Sequence, residues 1–162
     1  PLRYQKEEKA FFRELDAVIM GFFKGSVLVG SIVGVLTAGG LWLAGIDFAL
    51  IFGLIAGLCN IIPYFGPFIG AAPAVLFAFL QKPLKALWAV LVMIVVQQGE
   101  SHFITPQIMG KKLGLYPTVI MFALLVGGKI FGFWGLVLAV PLSGMLKIIG
   151  KYLICQAIYT RD

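Results

Sequence analysis

Charge is what this sequence has least of. Only 12% of its 162 residues are Asp, Glu, Lys or Arg, against 60% hydrophobic, where a soluble domain carries about 25% charged residues. Water is therefore not the main solvent of the folded chain. Histidine occurs once, at His102, and cysteine twice, at Cys59 and Cys155. One histidine cannot build a multi-histidine metal site, and two cysteines give no disulfide framework. Cys59 lies inside an apolar run and reads as a small packing residue. There is no His-Glu-x-x-His helix, no Gly-x-Ser-x-Gly elbow and no phosphate-binding loop. The expectation is a non-enzyme with no cofactor and no metal. Lacking a nucleotide-binding motif, any solute movement has to draw on a gradient or on a partner.

The charge that is present is mostly basic, 13 Lys and Arg against 7 Asp and Glu, for a formal net charge of +6. These cations fill short gaps between apolar runs and form no basic face with base-stacking aromatics, which argues against nucleic acid as a partner. Gaps of this kind are where lysines orient a membrane protein. The uncharged stretches are Gly25–Ile46, Phe48–Gln81, Ala86–Gly99, Leu115–Gly128 and Ile130–Leu146. At about 20 apolar residues per spanning helix they supply roughly four to six membrane segments. The fold class expected is all-α, a polytopic helical membrane protein with broken or re-entrant hairpins, and the principal partner is the lipid bilayer.

Three regions are expected. Residues 1–24 are charged and amphipathic, with Phe11, Phe12, Leu15, Val18, Ile19, Phe22 and Phe23 at helical spacing. They read as an interfacial helix and not as a signal peptide. Residues 25–146 form the transmembrane domain. Residues 147–162 form a basic C-terminal interfacial helix or tail, with Lys147 and Lys151 suited to lipid headgroups. The chain opens on Pro1, which suggests a segment of a longer protein. If every Lys and Arg group lies on the cytoplasmic side, Phe48–Gln81 must cross the membrane an odd number of times.

Small residues recur four apart at Ser26, Gly30, Gly34 and Ala38, again at Ala49, Gly53 and Gly57, and again at Gly66, Gly70, Ala74 and Ala78. Lipid offers no hydrophobic drive for helix pairing, so close backbone approach through such faces takes its place. The faces predict tight helix contacts, either within one chain or in a homo-oligomer.

Two places could carry a solute. The first is Asn60-Ile61-Ile62-Pro63-Tyr64-Phe65-Gly66-Pro67, where Pro63 and Pro67 each remove a backbone donor and a helix cannot pass unbent. Broken backbone at membrane depth is tolerated only where protein or a water-filled cavity covers it, and transporters bind solutes at such breaks. The second is the polar cluster Gln97, Gln98, Glu100 and His102. Glu100 is one of only two carboxylates among the membrane segments, the other being Asp47. An intramembrane carboxylate is costly and so suggests function, and a Glu–His neighbourhood can relay protons. The expected solute or ion pathway is Asn60, Pro63, Tyr64, Pro67, Gln97, Gln98, Glu100 and His102. The alternative at both places is structural, a tight turn and a headgroup-level loop.

The broken segment, followed by Thr105-Pro106-Gln107-Ile108-Met109-Gly110, Leu113-Gly114-Leu115-Tyr116-Pro117, Gly127-Gly128, Phe131-Gly132, Gly135 and Ala139-Val140-Pro141-Leu142, resembles the autoinducer-2 exporter family of prokaryotic permeases. The likeness runs from about Leu15 to Leu153 and covers the C-terminal half of that family. It implies a multi-pass protein of the plasma membrane that exports a small furanose-derived quorum-sensing signal. Some members are associated with sodium/proton exchange. The function expected is a gradient-driven transporter of a small solute. The alternatives left open are a sodium/proton antiporter and a membrane scaffold through which nothing permeates.

Overall fold

A computed structural model describes residues 2–108 and 116–159, with side chains described over 11–108, at 116 and over 118–152. Every element among the described residues is helical: α1 (Leu2–Leu43), α2 (Ala49–Cys59), α3 (Gly66–Gln81), α4 (Pro83–Gly99), a π-helical turn (Glu100–Ile104), α5 (Thr105–Ile108) and α6 (Pro117–Tyr159). Two compact units result. One is Lys24–Gly110, and the other joins the chain's ends, up to Phe23 and from Lys111 on. α1 runs unbroken through Lys24 and Gly25, so no helix end marks the expected boundary between the amphipathic and membrane regions.

In the Lys24–Gly110 unit, the end of α1 is set by Gly45. Its φ of 68° is a left-handed conformation that suits glycine. The Ile46 amide reaches back to the Leu41 carbonyl at 3.0 Å and the Gly45 amide to Trp42 at 2.9 Å, a Schellman motif. Its hydrophobic contact is present too, because Leu41 and Ile46 enter one buried cluster. α2 then runs back along α1. A methyl group added at Gly30 would meet the Gly57 carbonyl oxygen at 2.5 Å, and one at Gly34 would meet that of Gly53 at 3.0 Å. The Ser26/Gly30/Gly34/Ala38 face thus makes its close contact within the chain.

α3 reverses again. A methyl at Gly70 would lie 2.8 Å from the Ala56 Cα, and Gly66 presses on the Cys59 carbonyl. Lys82 alone links α3 to α4, and its extended backbone (φ −161°, ψ 137°) is the conformation Pro83 imposes on the residue before it. α4 returns antiparallel, and Val92 packs on Gly40 of α1. The α1–α2 and α3–α4 turns therefore share one end of the unit. Leu41, Ile46, Ala49, Phe52, Ala74, Ala78, Ala86 and Ala89 form a buried apolar plug there. A polar tie crosses the same end: Lys85 Nζ donates to the Gly45 carbonyl and, at 2.8 Å, to Gln81 Oε1, while Gln81 Nε2 donates to Asp47 Oδ2 at 2.8 Å.

This route corrects the topology expected from the lysines. α2 and α3 together make an even number of passes, so Lys82 and Lys85 lie at the opposite end of α1 from Lys24. Helix lengths agree. From Lys24 to Leu43 α1 measures about 30 Å, the thickness of a hydrocarbon core, whereas α2 measures only about 16 Å and α3 about 24 Å. The α2–α3 pair is a helical hairpin that leaves and returns at the end where α1 stops. Lys111 and Lys112, on which the same expectation drew, lie outside the described residues.

In the other unit, α6 is two helices in one. Gly132 (φ 59°, ψ −134°) turns the chain sharply, and Gly127 and Gly135 come into backbone contact across the turn. Lys129 stands near the tip and is exposed. Phe11 and Tyr152, from the unit's two chain segments, pack with ring centroids 5.2 Å apart. Three stretches have the length and hydropathy to cross a membrane, Phe11–Leu43, Pro83–Ile108 and Thr118–Tyr152. The third is folded back at Gly132, and its first arm is only about 22 Å long. The protein is a multi-pass helical membrane protein.

Candidate functional site: a broken hairpin and a polar turn at one end of the bundle

α2 ends where Asn60 turns its amide back to the Ala56 carbonyl at 3.1 Å. Ile61 and Ile62 make shorter-range bonds to Leu58 and Cys59, and Phe65 bonds to Pro63. Among the described residues no backbone amide donates to the carbonyls of Asn60, Ile61 or Tyr64. Pro63 sits inside this break, and Pro67 lies in the first turn of α3, where a helix has no use for the missing donor. The two prolines thus divide the work: one opens the backbone and the other starts the next helix. Tyr64 has a φ of 64°, a conformation that costs a non-glycine residue of order 1–3 kcal/mol. The residue is 43% exposed, while Asn60 is half-buried.

The antiparallel course of α3 and α4 brings the end of α4 to the same end of the unit as this break. There the π-helical turn sorts the polar cluster into two faces. Ala86, Ala89, Val92, Met93 and Val96 are the buried and half-buried stripe of α4, and Gln97 and Glu100 continue it. Gln97 Nε2 donates to Glu100 Oε2 at 2.5 Å, and Thr105 Oγ1 donates to Glu100 Oε1 at 2.5 Å. Gln98, Ser101 and His102 are exposed. His102 Nδ1 donates to the Gln98 carbonyl at 3.0 Å, and Ser101 Oγ to the Gln97 carbonyl at 2.9 Å. Glu100 and His102 therefore have separate partners and share no hydrogen bond, so the relay pair expected from their proximity in sequence is not formed.

Pro106 explains the wide turn. Its ring would crowd the His102 carbonyl in a regular α-helix, and a π turn relieves that crowding. The Thr105 amide accordingly bonds five residues back to the Glu100 carbonyl. Turns of this type concentrate at functional sites. Thr105 is the partner that residue-by-residue reading missed. In an α-helix positions five apart do not face each other, and only the π turn brings its hydroxyl onto Glu100.

Chemically, the break offers freed carbonyls, an amide and a phenol, and the polar turn offers one carboxylate held by two donors; the turn itself contacts α4 and α5 and not α2 or α3. Among the described residues no three His, Cys, Asp or Glu side chains gather as metal ligands would.

Residues 1–154 match the AI-2E family transporter family. The chain is 40% identical over 148 residues to "Putative transport protein YrrI" of Bacillus subtilis, an alignment covering 91% of this chain and 42% of that protein. It is 38% identical over 147 residues to "Putative transport protein YueF" of the same organism, covering 91% and 40%. It is also 31% identical over 147 residues to "Putative transport protein sll0063" of Synechocystis, covering 91% and 36%. The chain thus spans about two fifths of the length of these curated relatives. No solved structure matches it. On the residues matched and the identity retained, the chain belongs to the AI-2E family of membrane transport proteins.

Proposed function

We propose that the full-length protein is a gradient-driven permease of a prokaryotic plasma membrane. Its solute is a small hydroxylated molecule of the autoinducer-2 kind, moving outward past the Asn60–Phe65 break. The observation that carries this reading is that the broken α2–α3 hairpin and the Gln97–Glu100–Thr105 network lie at the same end of a single unit. Unpaired carbonyls are costly in lipid, whereas a solute rich in hydroxyls satisfies them. Glu100 is the group that couples solute movement to protons, since it is the carboxylate on the inward stripe of α4. A scaffold role loses its main support, because the small-residue faces it would use for assembly are occupied by contacts within the chain.

The test is efflux of the autoinducer-2 signal from proteoliposomes holding the full-length protein, across an imposed proton gradient. Asn60→Ala and Glu100→Gln are each checked for normal insertion. Losing a hydrogen bond to a charged group costs about 1.5–3 kcal/mol, so Glu100→Gln is expected to slow efflux by roughly tenfold or more and to flatten its dependence on the gradient. Asn60→Ala is expected to slow it less. Wild-type rates with an unchanged pH profile in both variants would remove this site from consideration.

A further inference from the structure

Thr37 is one of two buried hydroxyl residues among the described residues of the Lys24–Gly110 unit, the other being Ser26. Thr37 is 1% exposed, and its Oγ1 has no hydrogen-bond partner among the described residues. Ser31, on the same helix, behaves ordinarily and donates to the Val27 carbonyl one turn back at 2.7 Å. A threonine in a helix has the same option, and Thr37 does not take it. A buried unpaired hydroxyl is a cost, and each one calls for an explanation.

Its position supplies one. Thr37 lies about 5 Å along the axis from the middle of the Lys24–Leu43 stretch. On α1 it falls between Gly34, which meets α2, and Gly40, which meets α4, so it is directed into the bundle. One turn further on is Leu41, the first residue of the apolar plug. On its other side the unit ends in the Asn60–Phe65 break and the inward-facing Gln97 and Glu100. Thr37 is thus the last hydrogen-bonding side chain of α1 before the plug, seen from the polar end.

We propose that the Thr37 hydroxyl is the innermost hydrogen-bonding station of the solute path. Water partners it when the path is empty, and a hydroxyl or carbonyl of the solute partners it in transit. The inference rests on the break being the mouth of that path, and it adds how far the path reaches, to Thr37 and not as far as Leu41.

Cysteine accessibility separates the possibilities. In the full-length protein, reconstituted with its native cysteines replaced by alanine, Thr37→Cys and Leu41→Cys are exposed to methanethiosulfonate ethylammonium, a small polar thiol reagent. Modification of Thr37→Cys without modification of Leu41→Cys is the expected result. Failure to modify position 37 shows that no aqueous route reaches it and overturns the proposal. Modification of both positions shows that no plug lies between them and overturns it too. A second variant guards against a purely structural role. Thr37→Val should melt at or above the wild-type temperature, because it removes no hydrogen bond to another protein group. A lower melting temperature would mean that the hydroxyl is bonded within the bundle, and the station would not exist. Loss of efflux in Asn60→Ala and Glu100→Gln with position 37 unreactive would sink this inference alone. Wild-type efflux in both would sink the reading of the mouth, whatever happens at position 37.

Discussion

Two aromatic residues hold backbone conformations that glycine would take more cheaply. Phe48 (φ 59°) precedes α2, and Tyr64 (φ 64°) lies in the break. Phe48 has a packing reason, since its ring meets Phe77 at 5.6 Å between centroids. Tyr64 is 43% exposed and its hydroxyl has no hydrogen-bond partner among the described residues, so packing gives no account of its strain. Tyr64→Gly should relieve about 1 kcal/mol of backbone strain and still slow efflux. Tyr64→Phe should leave thermal stability unchanged and slow efflux as well. Efflux at the wild-type rate in Tyr64→Phe would show that the hydroxyl has no part in transport. At Glu100 the two donors can be removed singly. Thr105→Val and Gln97→Leu each take one hydrogen bond from the carboxylate, and each should cost about 1.5–3 kcal/mol in stability or in transport. Melting curves and efflux rates on the same preparations would show which.

Between helices, glycines decide the geometry, and their effects are unequal. Gly57 faces the Gly30 carbonyl at 2.5 Å from where a methyl would stand, while Gly39, on the same α1, has nothing within 4 Å. Gly57→Ala should therefore lower stability by about 1–3 kcal/mol through overpacking, whereas Gly39→Ala should be neutral or raise it by roughly 0.5–1 kcal/mol. Equal melting temperatures for the two would mean that α1 and α2 are not in contact. The four-residue spacing of Gly30, Gly34, Gly53, Gly57, Gly66 and Gly70 was enough to locate the close contacts from sequence, because the helical repeat alone puts those positions on one face. It could not tell a contact within the chain from one between subunits. Gly40 belongs to no such repeat, and its seat for Val92 follows only from the path of α4. The break at Asn60–Pro67 was legible for a similar reason, since proline chemistry is local. The Glu100–Thr105 bond was not, because a π turn changes which residues face each other.

At the scale of the whole molecule, Lys24 and Lys82 lie at opposite ends of α1. Lys24→Cys and Lys82→Cys, each as the single cysteine of the full-length protein, should be labelled by impermeant reagents from opposite faces of the membrane. Labelling of both from one face would require α2 and α3 to cross an odd number of times and would contradict the hairpin. The basic gaps misled here because lysines bias orientation without dictating it, and because Lys85 also serves the polar tie to Gly45, Gln81 and Asp47. The shortness of α2 bears finally on how the chain is made. At 11 residues it falls well below the roughly 20 that cross a bilayer, so the insertion machinery has no reason to release it into lipid alone. Its release into lipid is expected only together with α3, the pair packing against the glycines of α1. A substitution such as Gly30→Leu, which fills that groove, should therefore act during synthesis, leaving nascent chains with α2 and α3 outside the membrane and open to proteolysis before any folded protein exists to be destabilised.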